Sequence, residues 1–173
     1  HDLLVNGFSN GNDVYVISGM PVTSDNIKKH YISSDYEKCD GIEYYYLPVL
    51  NIPVIRNFIL FYNSFVHCFK KCINGKNNVV ICDVLNISIS FGALFAAKLT
   101  KTKCMGIVTD IPNKTPKKAK SKLLAAIKQI NMSLLNKFDG YIFLTEEMNC
   151  LINKKKKPYI VIEGQVDIKM QTV

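Results

Sequence analysis

The sequence predicts an α/β fold with an open parallel β-sheet and helices on both faces. Two observations predict it. Short, nearly continuous apolar runs alternate with longer amphipathic stretches along the 173 residues, which is the pattern of βαβ units around a sheet covered on both sides. Each apolar run also ends at a polar or small-residue break, and most of these breaks lead into a segment with helical periodicity. We therefore expect parallel strands with helices between most of them.

The predicted strands are six apolar runs. The residues before the first run look like the end of a helix, because Leu3, Leu4 and Phe8 precede the turn-forming segment 10–12. A helix that leads directly into a strand implies a further strand upstream of it. The six runs are Val14–Ser18, Glu43–Leu47, Val79–Cys82, Cys104–Thr109, Gly140–Leu144 and Tyr159–Ile162.

The longest predicted helix covers Val54–Ile73, with Pro53 at or just before its first turn. Its apolar residues recur at spacings of three and four and form one broad stripe. We expect the aromatic members of this stripe to pack in the core against the sheet rather than to bind a ligand. The stripe consists of Val54, Ile55, Phe58, Ile59, Tyr62, Phe65, Val66, Phe69 and Ile73.

Three further segments complete the predicted order. A helix over Ile87–Lys101 is rich in small residues that allow close approach to a sheet, and Asn86 and Ser88 are its candidate N-caps. Another helix runs from Lys117 to Lys137. A short helix begins after Thr145, whose hydroxyl is placed to cap it.

The composition indicates a soluble globular domain. Hydrophobic residues make up 48% of the chain and charged residues 21%, and no segment approaches the roughly 20 uninterrupted apolar residues of a membrane span. The chain begins at His1 without a secretory leader, so we expect an excised piece of a longer protein. The formal charge of +8 favours anionic partners but does not choose among them.

The six cysteines do not show zinc-ligand spacing. The nearest approach to a metal motif is His67, Cys68 and Cys72, which lie on the apolar helix. We expect reduced, buried thiols of a cytosolic protein and no metal. The cysteines are Cys39, Cys68, Cys72, Cys82, Cys104 and Cys150.

Polar clusters follow three of the predicted strands, at the ends where parallel sheets bind their ligands. They are Asp83–Ser88, Thr109–Pro112 and Thr145–Asn149. Asp110 could accept a proton from an attacking hydroxyl or position a sugar hydroxyl, although a carboxylate there, as at Asp83, could equally make a turn.

Other ionisable residues are weaker candidates for a site. Glu146 lies in the first turn of a helix, where the dipole favours a negative charge in any case. His30 lies in a polar loop, and His67 is expected to be a satisfied residue of the long helix.

Lysines are concentrated in two places. One cluster lies at the start of the third long helix, where cations oppose the helix dipole, so we expect it to face an anionic membrane surface. The second is Lys154–Lys157, a run typical of a solvated face. Neither cluster is interleaved with aromatic residues, and no nucleic-acid motif or phosphate-binding glycine loop occurs, which argues against nucleic acid. The membrane-facing cluster is Lys114, Lys117, Lys118, Lys120 and Lys122.

The ordered series of motifs resembles the N-terminal half of bacterial family 4 glycosyltransferases of GT-B architecture, over essentially the whole chain. Each string alone is weakly specific, whereas their order and spacing together are more so. The strings are Cys82–Asn86, Ile107–Pro112, Asp139–Asn149, Lys157–Gly164 and finally Asp167. Where this family often has Asn-Gly-Val-Asp, the chain reads Glu163-Gly164-Gln165-Val166-Asp167.

The resemblance implies a Rossmann-like, acceptor-binding domain over residues 1–163 and the start of an interdomain linker over 164–173. The first strand and its glycine-containing loop would lie upstream, and the donor-binding domain downstream. It implies Asp110 as the catalytic candidate. It also implies an acceptor cleft lined by Asp83, Asn86, Ser88, Thr109 and Glu146.

The implied reaction transfers a sugar from a nucleotide-sugar substrate to a lipid-linked or polysaccharide acceptor, generally with retention and with neither metal nor other cofactor. It would take place on the inner, cytoplasmic face of the membrane. Because the donor domain is missing, the chain alone is expected to be inactive. Two alternatives stay open: a stand-alone module that binds a phosphorylated small molecule, and a nucleic-acid binder that rests on charge alone.

Overall fold

The computed structural model describes residues 2–20, 30–39, 41–52, 55–110 and 131–162. These residues form a mixed α/β structure. In chain order the elements are α1 (Asp2–Phe8), β1 (Tyr15–Gly19), β2 (Tyr31–Ile32), β3 (Asp35–Cys39), β4 (Ile42–Leu47), β5 (Val49–Leu50), α2 (Ile55–Asn74), β6 (Val79–Asp83), α3 (Ile87–Leu99), β7 (Lys103–Val108), β8 (Gly140–Phe143), α4 (Glu146–Ile152) and β9 (Tyr159–Val161).

The larger sheet is parallel and has the strand order β6-β7-β8-β9. Helices flank it, and its apolar strands form the main core with α2 and α3. β8 is buried along its whole length, as expected for a central parallel strand. The predicted open parallel α/β arrangement is therefore confirmed for this part of the chain.

A second, smaller sheet differs from the prediction. β1 and β4 pair in parallel, but β3 joins the outer side of β4 in the antiparallel direction. β2 and β5 form a separate two-stranded antiparallel ribbon. The prediction of a single parallel sheet was wrong here because β3 reads Asp-Tyr-Glu-Lys-Cys, all exposed, and polar edge strands lack an apolar signature.

The apolar stripe of α2 also differs from the prediction. Phe58 and Tyr62, expected in the core, have relative exposures of 71% and 64%. The buried positions recur every four residues and face α3 and the sheet, while several aromatic residues pack at the margin of the core. The buried positions are Leu60, Ser64, Cys68 and Cys72.

Close approach of α2 and α3 explains this choice of buried positions. Gly92 packs so tightly against α2 that an added Cβ would clash with the carbonyl oxygen of Phe61 and lie 2.9 Å from the amide nitrogen of Phe65. The buried hydroxyl of Ser64 donates a 2.7 Å hydrogen bond to the carbonyl of Ile89. Small residues on both helices therefore set their separation.

The residues predicted to cap two helices lie at the helix N-termini, but their side chains make no capping hydrogen bond. Asn86 and Thr145 are the N-cap residues of α3 and α4, yet neither makes a side-chain capping hydrogen bond. The prediction that the Thr145 hydroxyl caps α4 was wrong. Instead, the carbonyl of Thr145 accepts a 3.2 Å hydrogen bond from the amide of Met148.

The helix predicted over Lys117–Lys137 lies within the described residues only at its end, where residues 131–135 are helical. Two side chains satisfy carbonyls there. The hydroxyl of Tyr141 donates to Leu135 at 2.8 Å, and the ammonium of Lys157 donates to Asn136 at 2.8 Å and also to Phe138. Lys157 therefore differs from Lys154, Lys155 and Lys156, which are exposed.

The cysteines are all free, but two of the six are exposed, Cys39 and Cys150, so the expectation that all are buried was wrong for these two. Among the residues that the structure describes, no helix is both long and apolar enough to span a bilayer. The boundary predicted at residues 163–164 and the linker after it lie outside the described residues.

Candidate functional site

Three of the predicted polar clusters begin at one edge of the four-stranded sheet, where β6, β7 and β8 end. We call this the carboxyl edge. The strands are parallel, with Asp83 paired to Ile107 and Val108 paired to Phe143. Asp83, Thr109 and Thr145 therefore follow one another across neighbouring strand ends, as the sequence predicted.

Asp83 makes the turn between β6 and α3. One carboxylate oxygen accepts a 3.0 Å hydrogen bond from the amide of Leu85. Its carbonyl accepts hydrogen bonds from the amide of Asn86 at 3.2 Å and from the hydroxyl of Ser90. The turn-forming role considered for Asp83 is thus present, and it fixes the carboxylate at the start of the loop.

Ser90 is part of this arrangement, although sequence analysis did not single it out. It is 3% exposed, and its hydroxyl ties the first turn of α3 to the end of β6. The signal was available, because a serine inside an apolar helical segment needs a hydrogen-bond partner. Beside it, Asn86 is exposed and Ser88 is half-buried at the start of α3.

Thr109 and Asp110 directly follow the buried end of β7. Val108 is fully buried, Thr109 is half-buried and Asp110 is exposed. Solvent exposure therefore increases from Val108 to Asp110, so the chain leaves the core at the carboxyl edge. The carboxylate of Asp110 can therefore reach a molecule bound there.

Glu146 is held by neighbouring side chains. Its Oε1 atom accepts hydrogen bonds from the side-chain amide of Asn149 at 2.8 Å and from the hydroxyl of Tyr159 at 2.9 Å. The bond to Glu146 is the main reason that the pKa of Tyr159 is raised. These contacts join α4 to β9 and orient Glu146, and sequence analysis did not predict them because Tyr159 lies 13 residues away.

A cavity of about 830 Å³ lies between β1 and β6 and runs from Asp13 and Asn78 to Asp83 and Asn86 at the carboxyl edge. Of the described candidate residues, Ser88, Thr109, Asp110 and Glu146 do not line it. The two strands belong to different sheets, and successive strands lead away from the cavity in opposite directions: β1 to β4 on one side, β6 to β7 on the other. Such a reversal of strand order is where open α/β sheets place their ligands, outside the carboxyl ends. We call this cavity the β1–β6 cavity.

Across the part of the chain that the structure describes, no group of three or more histidine, cysteine or acidic side chains is arranged to hold a metal ion. His67 stacks on Tyr45 with ring centroids 4.1 Å apart. Burial, together with Lys70 and Lys71, lowers the pKa of His67. His30 is exposed in a loop.

The lysines predicted to face a membrane fall in residues 111–130 and lie outside the described residues: Lys114, Lys117, Lys118, Lys120 and Lys122.

Comparison of the chain with protein-family models, with curated proteins and with solved structures found no match.

Proposed function

We propose that this chain is the acceptor-side domain of a nucleotide-sugar glycosyltransferase with two α/β domains. The observation that carries the proposal is the carboxyl edge, where Asp83 ends β6 and Asp110 follows the adjacent parallel strand β7, beside a reversal of strand order. An exposed carboxylate at that place suits an acceptor hydroxyl, because it can take up the hydroxyl proton or orient the attacking oxygen.

In the proposed reaction, the acceptor hydroxyl lies at Asp110, with Thr109, Asn86 and Ser88 as polar neighbours. Asp83 and Glu146 hold the loops that shape the site through their hydrogen bonds within the chain. The nucleoside diphosphate leaves from the opposite domain. That domain supplies the positive groups which stabilise the departing charge.

Acceptor binding to the 173-residue chain tests this assignment. We expect short glycan acceptors to shift the backbone amide resonances of residues 83–90 and 109–110, and nucleotide sugars to shift them weakly. Asp110→Asn should weaken the acceptor effect, and Asp35→Asn, at an exposed aspartate of β3, is the matched control. Shifts caused by a phosphorylated small molecule instead of a glycan would favour the alternative of a stand-alone phosphate-binding module.

We further propose that the parent enzyme works at an anionic membrane surface, reached through the basic cluster at residues 114–122. Each lysine near such a surface contributes about 1 kcal/mol. Replacing Lys117, Lys118 and Lys120 by glutamate should therefore reduce binding to phosphatidylserine vesicles by roughly 100-fold or more. The control replaces the exposed lysines 154–156 by glutamate, with the same change in net charge. If both variants lose vesicle binding equally, the cluster at residues 114–122 is not the specific membrane contact. Salt-sensitive binding to DNA without vesicle binding would favour a nucleic-acid partner.

A further inference from the structure

The side of α2 that faces solvent is its more apolar side. Ile55, Phe58 and Tyr62 are 46%, 71% and 64% exposed. The side that faces the core carries small residues such as Ser64 and Cys68, which bond to carbonyls of α3 and let the two helices approach closely. The apolar stripe that the sequence predicted for the core therefore lies at the surface.

Helix α3 extends this apolar surface. Phe95 and Leu99 lie one turn apart and are 50% and 65% exposed. The ring of Phe95 meets the ring of Phe61 on α2 edge-on, with centroids 5.9 Å apart. The exposed residues of the two helices therefore form one surface, which we call the α2–α3 face. Its main residues are Ile55, Phe58, Tyr62, Phe65, Phe95 and Leu99.

The α2–α3 face is larger than the scattered apolar surface of an ordinary monomer. An aromatic side chain presents about 200 Å², so Phe58, Tyr62 and Phe95 together leave roughly 370 Å² in water. Ile55 and Leu99 add roughly 100 to 200 Å². Continuous apolar patches of about 500 Å² mark interaction sites.

The distribution of charge indicates what kind of partner covers this face. The sequence has no charged residue between Arg56 and Lys70, or between Asp83 and Lys98. Enrichment in aromatic residues and depletion of charge are features of the core of a protein interface. A helix that binds an anionic membrane instead carries lysines and arginines along its apolar stripe. The α2–α3 face therefore fits an apolar protein surface.

The stripe on α2 is complementary to itself. Apolar residues lie three, four and seven positions to either side of Tyr62. If two α2 helices pack in opposite directions with Tyr62 at the centre, each of these residues faces an apolar counterpart. The N-terminal end of each helix then lies near the C-terminal end of the other, which the helix dipoles favour. The facing pairs are Ile59 with Phe65, Phe58 with Val66, and Ile55 with Phe69.

We propose that two copies of this chain associate through the α2–α3 face, with their α2 helices antiparallel about a two-fold axis at Tyr62. A two-fold dimer uses the same patch on both copies, which is the self-complementarity that the α2 stripe shows. Covering both faces removes roughly 1,000 Å² of apolar surface from water, which reaches the size of a specific interface. The proposal is independent of the proposed reaction, because no residue of the α2–α3 face belongs to the candidate site.

Sedimentation equilibrium of the 173-residue chain tests the proposal. We expect a reversible monomer–dimer equilibrium between about 1 and 100 μM. Tyr62→Asp places two carboxylates at the two-fold axis and should raise the dissociation constant about 100-fold or more. Leu151→Asp changes an exposed apolar residue of another helix, α4, in the same way and is the matched control. It should change the dissociation constant by less than about threefold. Circular dichroism should show unchanged helix content in both variants, since both side chains are exposed.

Disulfide cross-linking tests the geometry of the pair. In a background where the exposed Cys39 and Cys150 are replaced by serine, Tyr62→Cys should cross-link to itself on oxidation with diamide. Phe58→Cys and Val66→Cys should each cross-link poorly alone and efficiently when the two variants are mixed, because each faces the other across the axis.

Four results would overturn the proposal. One is a chain that stays monomeric at about 100 μM, and another is an equal effect of Tyr62→Asp and Leu151→Asp on the dissociation constant. A third is cross-linking of Tyr62→Cys no faster than that of the serine background. The fourth is a monomer whose binding to phosphatidylserine vesicles is lost in Tyr62→Asp, which would assign the α2–α3 face to a lipid surface.

Discussion

The carboxylate of Asp139 lies 2.7 Å from the ammonium of Lys98 and so connects the last turn of α3 to the start of β8. The other oxygen of Asp139 accepts a 2.9 Å hydrogen bond from the amide of Cys104. The Asp139 amide in turn donates to the carbonyl of Cys104 at 2.7 Å. One aspartate thus aligns a helix and two neighbouring strands at the amino ends of those strands, the sheet edge opposite the candidate site.

Removing the charge of Asp139 is expected to destabilise the fold. Asp139→Asn should lower the free energy of unfolding by about 1 to 2 kcal/mol, because the hydrogen bond to the Cys104 amide and the ion pair both weaken. Lys98→Met removes only the ion pair, which is partly exposed, and should cost less than about 1 kcal/mol. Urea denaturation of both variants measures this, and a larger loss for Lys98→Met would contradict the assignment.

The same carboxylate makes stability depend on pH. Burial raises the pKa of Asp139, but the hydrogen bonds from Lys98 and Cys104 and the charges of Lys98 and Lys103 outweigh it, so the pKa lies below its ordinary value. A carboxyl group whose pKa is lowered by folding stabilises the protein above its unfolded pKa of about 3.9 and loses that effect as the pH falls through the folded value. The stability difference between wild type and Asp139→Asn should be constant above about pH 5 and shrink below about pH 4. A difference that stays constant below pH 4 would contradict this account.

Gly92 sets the separation of α2 and α3. Gly92→Ala should lower the free energy of unfolding by about 2 kcal/mol or more, because the new methyl group meets the backbone of Phe61. The control is Gly7→Ala in α1, where nothing lies within 4 Å of the added Cβ. That change should be neutral or stabilise by up to about 1 kcal/mol. Thermal unfolding of Gly92→Ala and Gly7→Ala separates steric conflict from helix propensity. Equal changes in the stability of the two variants would contradict the close packing of Gly92 against α2.

Lys157 should differ from the other lysines in its run. Lys157→Met removes the donor that satisfies two carbonyls after residues 131–135, and should cost about 1 to 2 kcal/mol. Lys155→Met removes an exposed charge and should change stability by less than about 0.5 kcal/mol. Chemical denaturation of both variants measures the difference. Similar losses would mean that the run acts only through its charge.

Asp110→Asn should impair the reaction without impairing the fold. The proposed function predicts that loss of this proton-accepting group reduces kcat of the full-length protein by about 100-fold or more. The unfolding midpoint should change little because Asp110 is exposed. Asp35→Asn at the exposed edge of β3 serves as the control for both measurements. Unchanged kcat in Asp110→Asn would remove Asp110 from the mechanism.

The sequence predicted every end of the six parallel strands to within one residue, because strands such as β8 are continuous apolar runs between polar breaks. It did not predict β3, whose exposed charges resemble a loop, or the two-residue strands β2 and β5. β3 forms because the edge of β4 offers it a pairing partner, and β2 and β5 form because they pair with each other. Periodicity within a segment cannot reveal either pairing. The buried face of α2 was misplaced for a related reason, since contact with Gly92 selects Ser64 over larger apolar neighbours.

The candidate site was predicted in position but not in detail. The rule that ligands bind at the carboxyl ends of parallel strands was enough to place Asp83, Thr109 and Asp110 at one edge. It could not show that Ser90 holds the end of β6 or that Tyr159 engages Glu146. Hydrogen bonds between side chains on different elements depend on tertiary geometry, which a single sequence does not contain.

The most direct test of the proposed function is a transfer assay of the full-length protein with a panel of nucleotide sugars and lipid-linked or glycan acceptors, run beside the 173-residue chain. We predict acceptor-dependent release of a nucleoside diphosphate by the full-length protein with one or a few donors, its loss in Asp110→Asn, and no measurable transfer by the 173-residue chain. Sugar transfer by the 173-residue chain alone, or no transfer by the full-length protein with any donor of the panel, would contradict the account.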